Sequence, residues 1–169
     1  MTLFLKLFFD ICLFKKGPQD IPASSGLLIL LIPIYAGINF LILILSADAV
    51  NAISQVLVEI ILTIASCKVI LYIAKSPERF VQTASALIAT DTLISFFALP
   101  AMATLIGQGT ALAFFSVVAL MLWHWAVSGH IFSNALNQPF TFGLGVAFLY
   151  ILVSYQVMAL LFPEIIITE

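Results

Sequence analysis

Apolar residues run in long blocks along this chain, interrupted at intervals by short polar or proline-bearing stretches, and the block lengths set the predicted elements. Thr2 to Lys16 is apolar almost throughout, but Lys6 and Asp10 are spaced to share one face of a helix. A block of roughly fifteen residues cannot cross a bilayer, so the pattern predicts an interfacial amphipathic helix lying along the membrane surface. Lys15 and Lys16 would close its C-terminal end, where the helix dipole favours cations. Docking on a bundle or on a partner subunit is the alternative placement. Gly17 to Ser24 follows as a rigid elbow, because Pro18 and Pro22 each lack an N–H and disfavour helix in the residue before them.

Five further blocks are each long enough to span. The first runs from a cap at Ser24 or Ser25 to about Leu45, with Pro33 and Gly37 as tolerated weak points and Asn39 as its strongly polar residue. A turn over residues 46–51 precedes the second, from about Asn51 to Ala74, which holds Glu59 and Lys68. These two lie about 13.5 Å apart along a helix axis and on roughly opposite faces, so they cannot pair with each other. The charged turn Lys75 to Arg79 leads into the third, from about Phe80 to Ile106, with a kink or break expected near Pro100. Residues 107–110 link it to the fourth, from about Ala111 to Phe132, and residues 133–139 link that to the fifth, from about Phe140 to Phe162. Pro163 ends the pattern before an acidic tail over residues 164–169.

Composition turns this pattern into a class. The chain is 63% hydrophobic and 8% charged, against roughly 25% charged for a soluble domain, and its mean hydropathy is +1.23. The expected fold is an all-α, polytopic transmembrane bundle of five spans. Residues 1–23 form the surface helix and elbow, 24–162 the bundle and 163–169 the tail. Nothing supports nucleic-acid binding. Cys12 and Cys67 are too few for a disulfide framework and lack metal-ligand spacing, so they read as small apolar fillers. The basic residues Lys15 and Lys16 follow the first apolar run, so a cleavable signal peptide is not expected. With five spans, Lys6, Lys15, Lys16, Lys75 and Arg79 fall on one side while Asp48, Glu164 and Glu169 fall on the other. That positive-inside count predicts a cytoplasmic N-terminus and a periplasmic C-terminus in a bacterial inner membrane.

Ionisable residues inside spans cost about 2.5–3.5 kcal/mol to insert and are expected to face the bundle interior with a partner. Depth along the helices sorts the candidates into two layers. Lys68, Asp91 and His124 lie about 9–17 Å from the basic end, and Asn39, Glu59, Ser154 and Gln156 about 21–24 Å from it. The first layer predicts a Lys68–Asp91 ion pair, either structural or part of a proton relay with His124. In the second, Glu59 has only the neutral Asn39, Ser154 and Gln156 to meet, so a protonated carboxyl is expected, bridging helices or contacting a cation or substrate. His124 and His130 stand about 120° apart around a helix, which argues against a two-histidine metal site. Trp123 and Trp125 read as packing residues. Gly143 with Ala147, and Ser85 with Ala89 and Thr92, make small faces suited to close helix contact. No catalytic triad, phosphate loop or HExxH motif occurs.

The charged turn leading into RFVQTASALIATDTLISFFALP, together with the fourth-span ending LWHWAVSGHIF and the five-span count, resembles the bacterial branch of the Ypt-interacting protein (Yip) domain family over residues 24–162. Eukaryotic members carry an acidic, tyrosine and glycine-proline motif that is absent here, so the resemblance does not extend to small-GTPase binding. It implies a non-enzymatic membrane protein, without a cofactor, that self-associates or joins a larger membrane complex among lipid. The alternative on the residues alone is a small permease or ion-coupled channel using Glu59, Asp91 and His124.

Overall fold

The structure is a computed structural model describing residues 2–163, and the acidic tail with Glu164 and Glu169 lies outside them. Six α-helices follow one another: α1 (Thr2–Cys12), α2 (Ser25–Leu43), α3 (Ala49–Ile73), α4 (Phe80–Gln108), α5 (Ala111–Leu136) and α6 (Phe140–Leu161). The five from α2 to α6 are long and apolar enough to cross a membrane, the architecture of a multi-pass membrane protein. Their ends follow local chemistry. Ser24 accepts from the Leu27 N–H at the start of α2, and Thr110 from the Ala113 N–H at the start of α5. Asn137 and Gly109 take left-handed backbone to close α5 and α4.

The centre of the bundle is α4, which packs on α1, α2, α3 and α5. Every residue from Thr83 to Thr90 is buried, so the most polar of the spanning blocks is also the one best shielded from lipid. Three of its threonines are satisfied locally, Thr83, Thr90 and Thr92 donating to the carbonyls of Arg79, Ala86 and Ile88 at 2.9, 2.8 and 2.6 Å, whereas Ser85 Oγ is buried without a partner. The expected break at Pro100 does not occur, and α4 continues as helix to Gln108. On α2 and α6 the exposed faces carry Ile29, Leu30, Ile34, Phe148, Leu149 and Leu152, as a lipid-facing surface requires.

Close packing of α5 on α6 rests on glycine. A Cβ at Gly129 would come within 2.7 Å of the Leu144 side chain, and one at Gly143 would overlap the Gly129 carbonyl oxygen. Gly143 and Ala147 are buried, as are Ser85 and Ala89, while Thr92 is half-buried. The small faces legible in the sequence are thus occupied inside the bundle.

One end of the bundle gathers the elbow, the charged turn and the α5–α6 link. Arg79 Nη1 donates to the carbonyls of Asn134 (3.2 Å) and Ala135 (2.8 Å), closing the C-terminal turn of α5. This is why α5 extends past Phe132 through four residues that read as link. Gln82 donates to the Ile21 carbonyl at 2.7 Å, and His130 Nε2 lies 2.9 Å from the Lys16 carbonyl oxygen. Lys15, Lys16, Lys75 and Arg79 therefore share one end of the bundle, and Asp48 stands at the start of α3 at the other. The first helix stops at Cys12 rather than Lys16 and docks on α4 and α5, burying Phe8, Ile11 and Cys12. The helix docks on the bundle with one face and leaves an apolar face with Phe4, Leu5 and Phe9 exposed, as an interfacial helix requires. The Trp123 indole N–H fixes it by donating to the Cys12 carbonyl at 3.0 Å. Burial pushes the Cys12 thiol up to about 12, which keeps it neutral and unreactive at physiological pH.

Candidate functional site: a polar chamber in the bundle

The periodicity of each helix decides which polar side chains turn inward. On α3 the buried positions Ala52, Gln55, Val56, Thr63, Cys67 and Leu71 form a stripe that recurs every one or two helical turns. Thr63 therefore faces in, and Glu59, one turn earlier, falls on the same side. On α6 the inward stripe is Gly143, Ala147, Tyr150 and Ser154, and on α2 it includes Tyr35 and Asn39. These stripes meet Asp91 of α4 and His124 of α5 around a cavity of about 320 Å³. Asp91 and His124 sit near mid-length of the bundle, while Ser154, Tyr155 and Met158 carry the cavity toward the end opposite the basic one.

Within the chamber, His124 Nε2 lies 3.4 Å from Asp91 Oδ1, the one contact of ion-pair distance among the described residues, with both side chains about one-quarter to one-third exposed. The Tyr35 side chain borders both Asp91 and Glu59. Asn39 is held between helices, donating to the Tyr35 carbonyl (3.1 Å) and accepting from Ser95 Oγ (3.2 Å), which ties α2 to α4. Thr63 Oγ1 and Tyr150 Oη are 2.9 Å apart and tie α3 to α6. Ser154 Oγ is buried without a hydrogen-bond partner. Glu59 has no basic residue within ion-pair distance among the described residues.

Four sequence expectations meet the structure here. Asp91, His124, Glu59 and Asn39 come together, but the two layers are one: a depth difference of a few ångströms between helix positions is covered by side-chain length. The Lys68–Asp91 pair is replaced by His124–Asp91, because Lys68 lies half a helical turn from Glu59 and is exposed on the outer face of α3. Gln156 is exposed as well, two residues beyond the inward Ser154 and so on the far side of α6. Trp123 and Trp125 are packing residues, but each also donates an indole hydrogen bond, Trp125 to the Leu144 carbonyl at 3.0 Å.

Tyr35, Thr63 and Tyr150 were missed by the sequence reading. The signal was present, since Tyr35 precedes Asn39 by four residues and Tyr150 precedes Ser154 by four, a spacing that places each pair on one face. The two histidines are separated in role: His130 meets the Lys16 carbonyl and stacks edge-on against Phe14, with ring centroids 5.2 Å apart. Among the described residues no three His, Cys, Asp or Glu side chains converge closely enough to hold a metal ion.

Comparison with known family models, characterised proteins and solved structures gives no match to this chain. The functional reading therefore rests on the chamber itself.

Proposed function

We propose that the protein is a small permease or ion-coupled channel of the bacterial inner membrane that moves a proton or small cation through the bundle. The observation that carries this reading is the convergence of Glu59, Asp91 and His124 on one chamber. Ionisable groups inside a membrane bundle are expensive to insert, and three of them facing a shared cavity are the arrangement that ion and proton pathways use. A volume of about 320 Å³ holds on the order of ten waters or one small solute. Glu59, lacking a basic partner, is the group that exchanges a proton or accepts a cation. Asp91 and His124 form the adjoining pair through which that charge is compensated.

The test is reconstitution into liposomes holding an internal pH dye, with an imposed pH gradient. Wild-type protein is expected to dissipate the gradient, and Glu59→Gln, which keeps shape and removes charge, to slow this at least tenfold, about 1.4 kcal/mol in barrier. Unchanged flux from a Glu59→Gln protein that elutes like wild type would remove the reading.

The basic end supports a cytoplasmic N-terminus, with Asp48 facing the periplasm. Single cysteines placed at Asp48 and Lys15 in a background lacking Cys12 and Cys67 are expected to label from outside intact spheroplasts at Asp48 only. The reverse pattern would invert the topology. We also propose kinship with Yip-type proteins, with which the five spanning helices agree. The partner-binding role that kinship implies has less support than permeation, because the small-residue faces suited to association are occupied internally.

A further inference from the structure

Two cavities outside the chamber share a residue. Between the basic-end halves of α3 and α6 runs an apolar groove of about 740 Å³, floored by residues such as Val69, Ile73, Val146 and Leu149 and ending at Leu136 and Gln138. Gln138 also lines a second, polar pocket of about 510 Å³ with Arg79, Gln19, Ser133, Asn134 and Asn137. The groove thus ends beside a cluster of hydrogen-bonding side chains around a guanidinium.

Both Arg79 hydrogen bonds use Nη1, so Nε and Nη2 have no protein partner among the described residues. The elbow carboxylate of Asp20 is turned away, accepting from its own Gly17 N–H at 2.9 Å. Lys15, Lys16 and Lys75 stand at the same end. An apolar slot set beside an anchored, half-free guanidinium at the basic end of the bundle matches an acyl chain joined to a phosphate.

We infer that this composite site binds an anionic phospholipid from the leaflet at the basic end, one acyl chain in the α3–α6 groove and the phosphate against Arg79. Moving a chain from bilayer to groove gains no hydrophobic free energy, since both are apolar, so headgroup charge sets selectivity. The site is separate from the chamber, and its test does not depend on transport.

Native mass spectrometry of the detergent-solubilised protein, titrated with phosphatidylglycerol or phosphatidylcholine, reads the site directly. Phosphatidylglycerol is expected to be retained at least fivefold more tightly. Arg79→Gln should abolish that preference, but it also uncaps α5. Gln138→Glu therefore provides the second arm: this side chain is exposed and makes no hydrogen bond, and a negative charge there should cut retention at least fivefold with unchanged thermal stability. Val146→Trp, which fills the groove, should lower retention of both lipids. Equal retention of the two lipids, or full retention in Gln138→Glu, overturns the proposal. So does competition by glycerol phosphate at concentrations matching the lipid, which would mean that the pocket takes a free anion.

Discussion

Replacing Gly143 with leucine is expected to prevent α5 and α6 from seating and to leave little folded protein, and even Gly143→Ala should lower the thermal midpoint in detergent sharply. The added Cβ meets backbone, namely the Gly129 carbonyl oxygen and the Ser133 amide nitrogen, the latter at 2.7 Å. Neither can swing away as a flexible side-chain tip would, so the helices must separate along much of their contact. Overpacking of this kind costs on the order of 3 kcal/mol or more, and in a membrane the two helices are held mainly by such close packing. Gly145→Ala is the control, because a Cβ there meets nothing within 4 Å. It should stay within about 1 kcal/mol of wild type on helix propensity alone. Comparable losses from both substitutions would show that the α5–α6 contact does not govern stability.

The second large effect concerns the Asp91–His124 pair. Asp91→Asn and His124→Gln should each reduce gradient dissipation about a hundredfold, and the double variant should be no worse than either single one. Groups that act as a unit lose their function with the first removal, so non-additivity is the signature of a shared step. Stability should respond far less. The pair is partly exposed, and charged pairs in such settings contribute about 1 kcal/mol or less. Multiplicative losses of flux would mean that the two residues act independently. A collapse in stability to match the flux would mean that the pair holds the bundle together instead.

Much of the fold was legible from block length. Each of the five spanning helices lies within a few residues of its apolar block, because the bilayer sets a length that sequence must meet. The discrepancies come from tertiary contacts invisible to a local reading: α5 runs to Leu136 because Arg79 caps it from across the bundle. The site was half legible. Asp91, His124, Glu59 and Asn39 stood out as polar residues in apolar surroundings, but axial depth alone assigned them partners. Facing decides partners, and the stripes on α3 and α6 already excluded Lys68 and Gln156. Tyr35 and Tyr150 escaped notice because an aromatic ring reads as apolar until its hydroxyl is placed.

Tyr150 lines both the apolar groove and the polar chamber, so it is part of the wall between them, fixed to α3 by its hydroxyl contact with Thr63. A wall of this kind separates two dielectrics. One side is lined by carboxylates and hydroxyls, the other by hydrocarbon. On that flank of the bundle, one phenol ring belongs at once to the polar lining and to the apolar one.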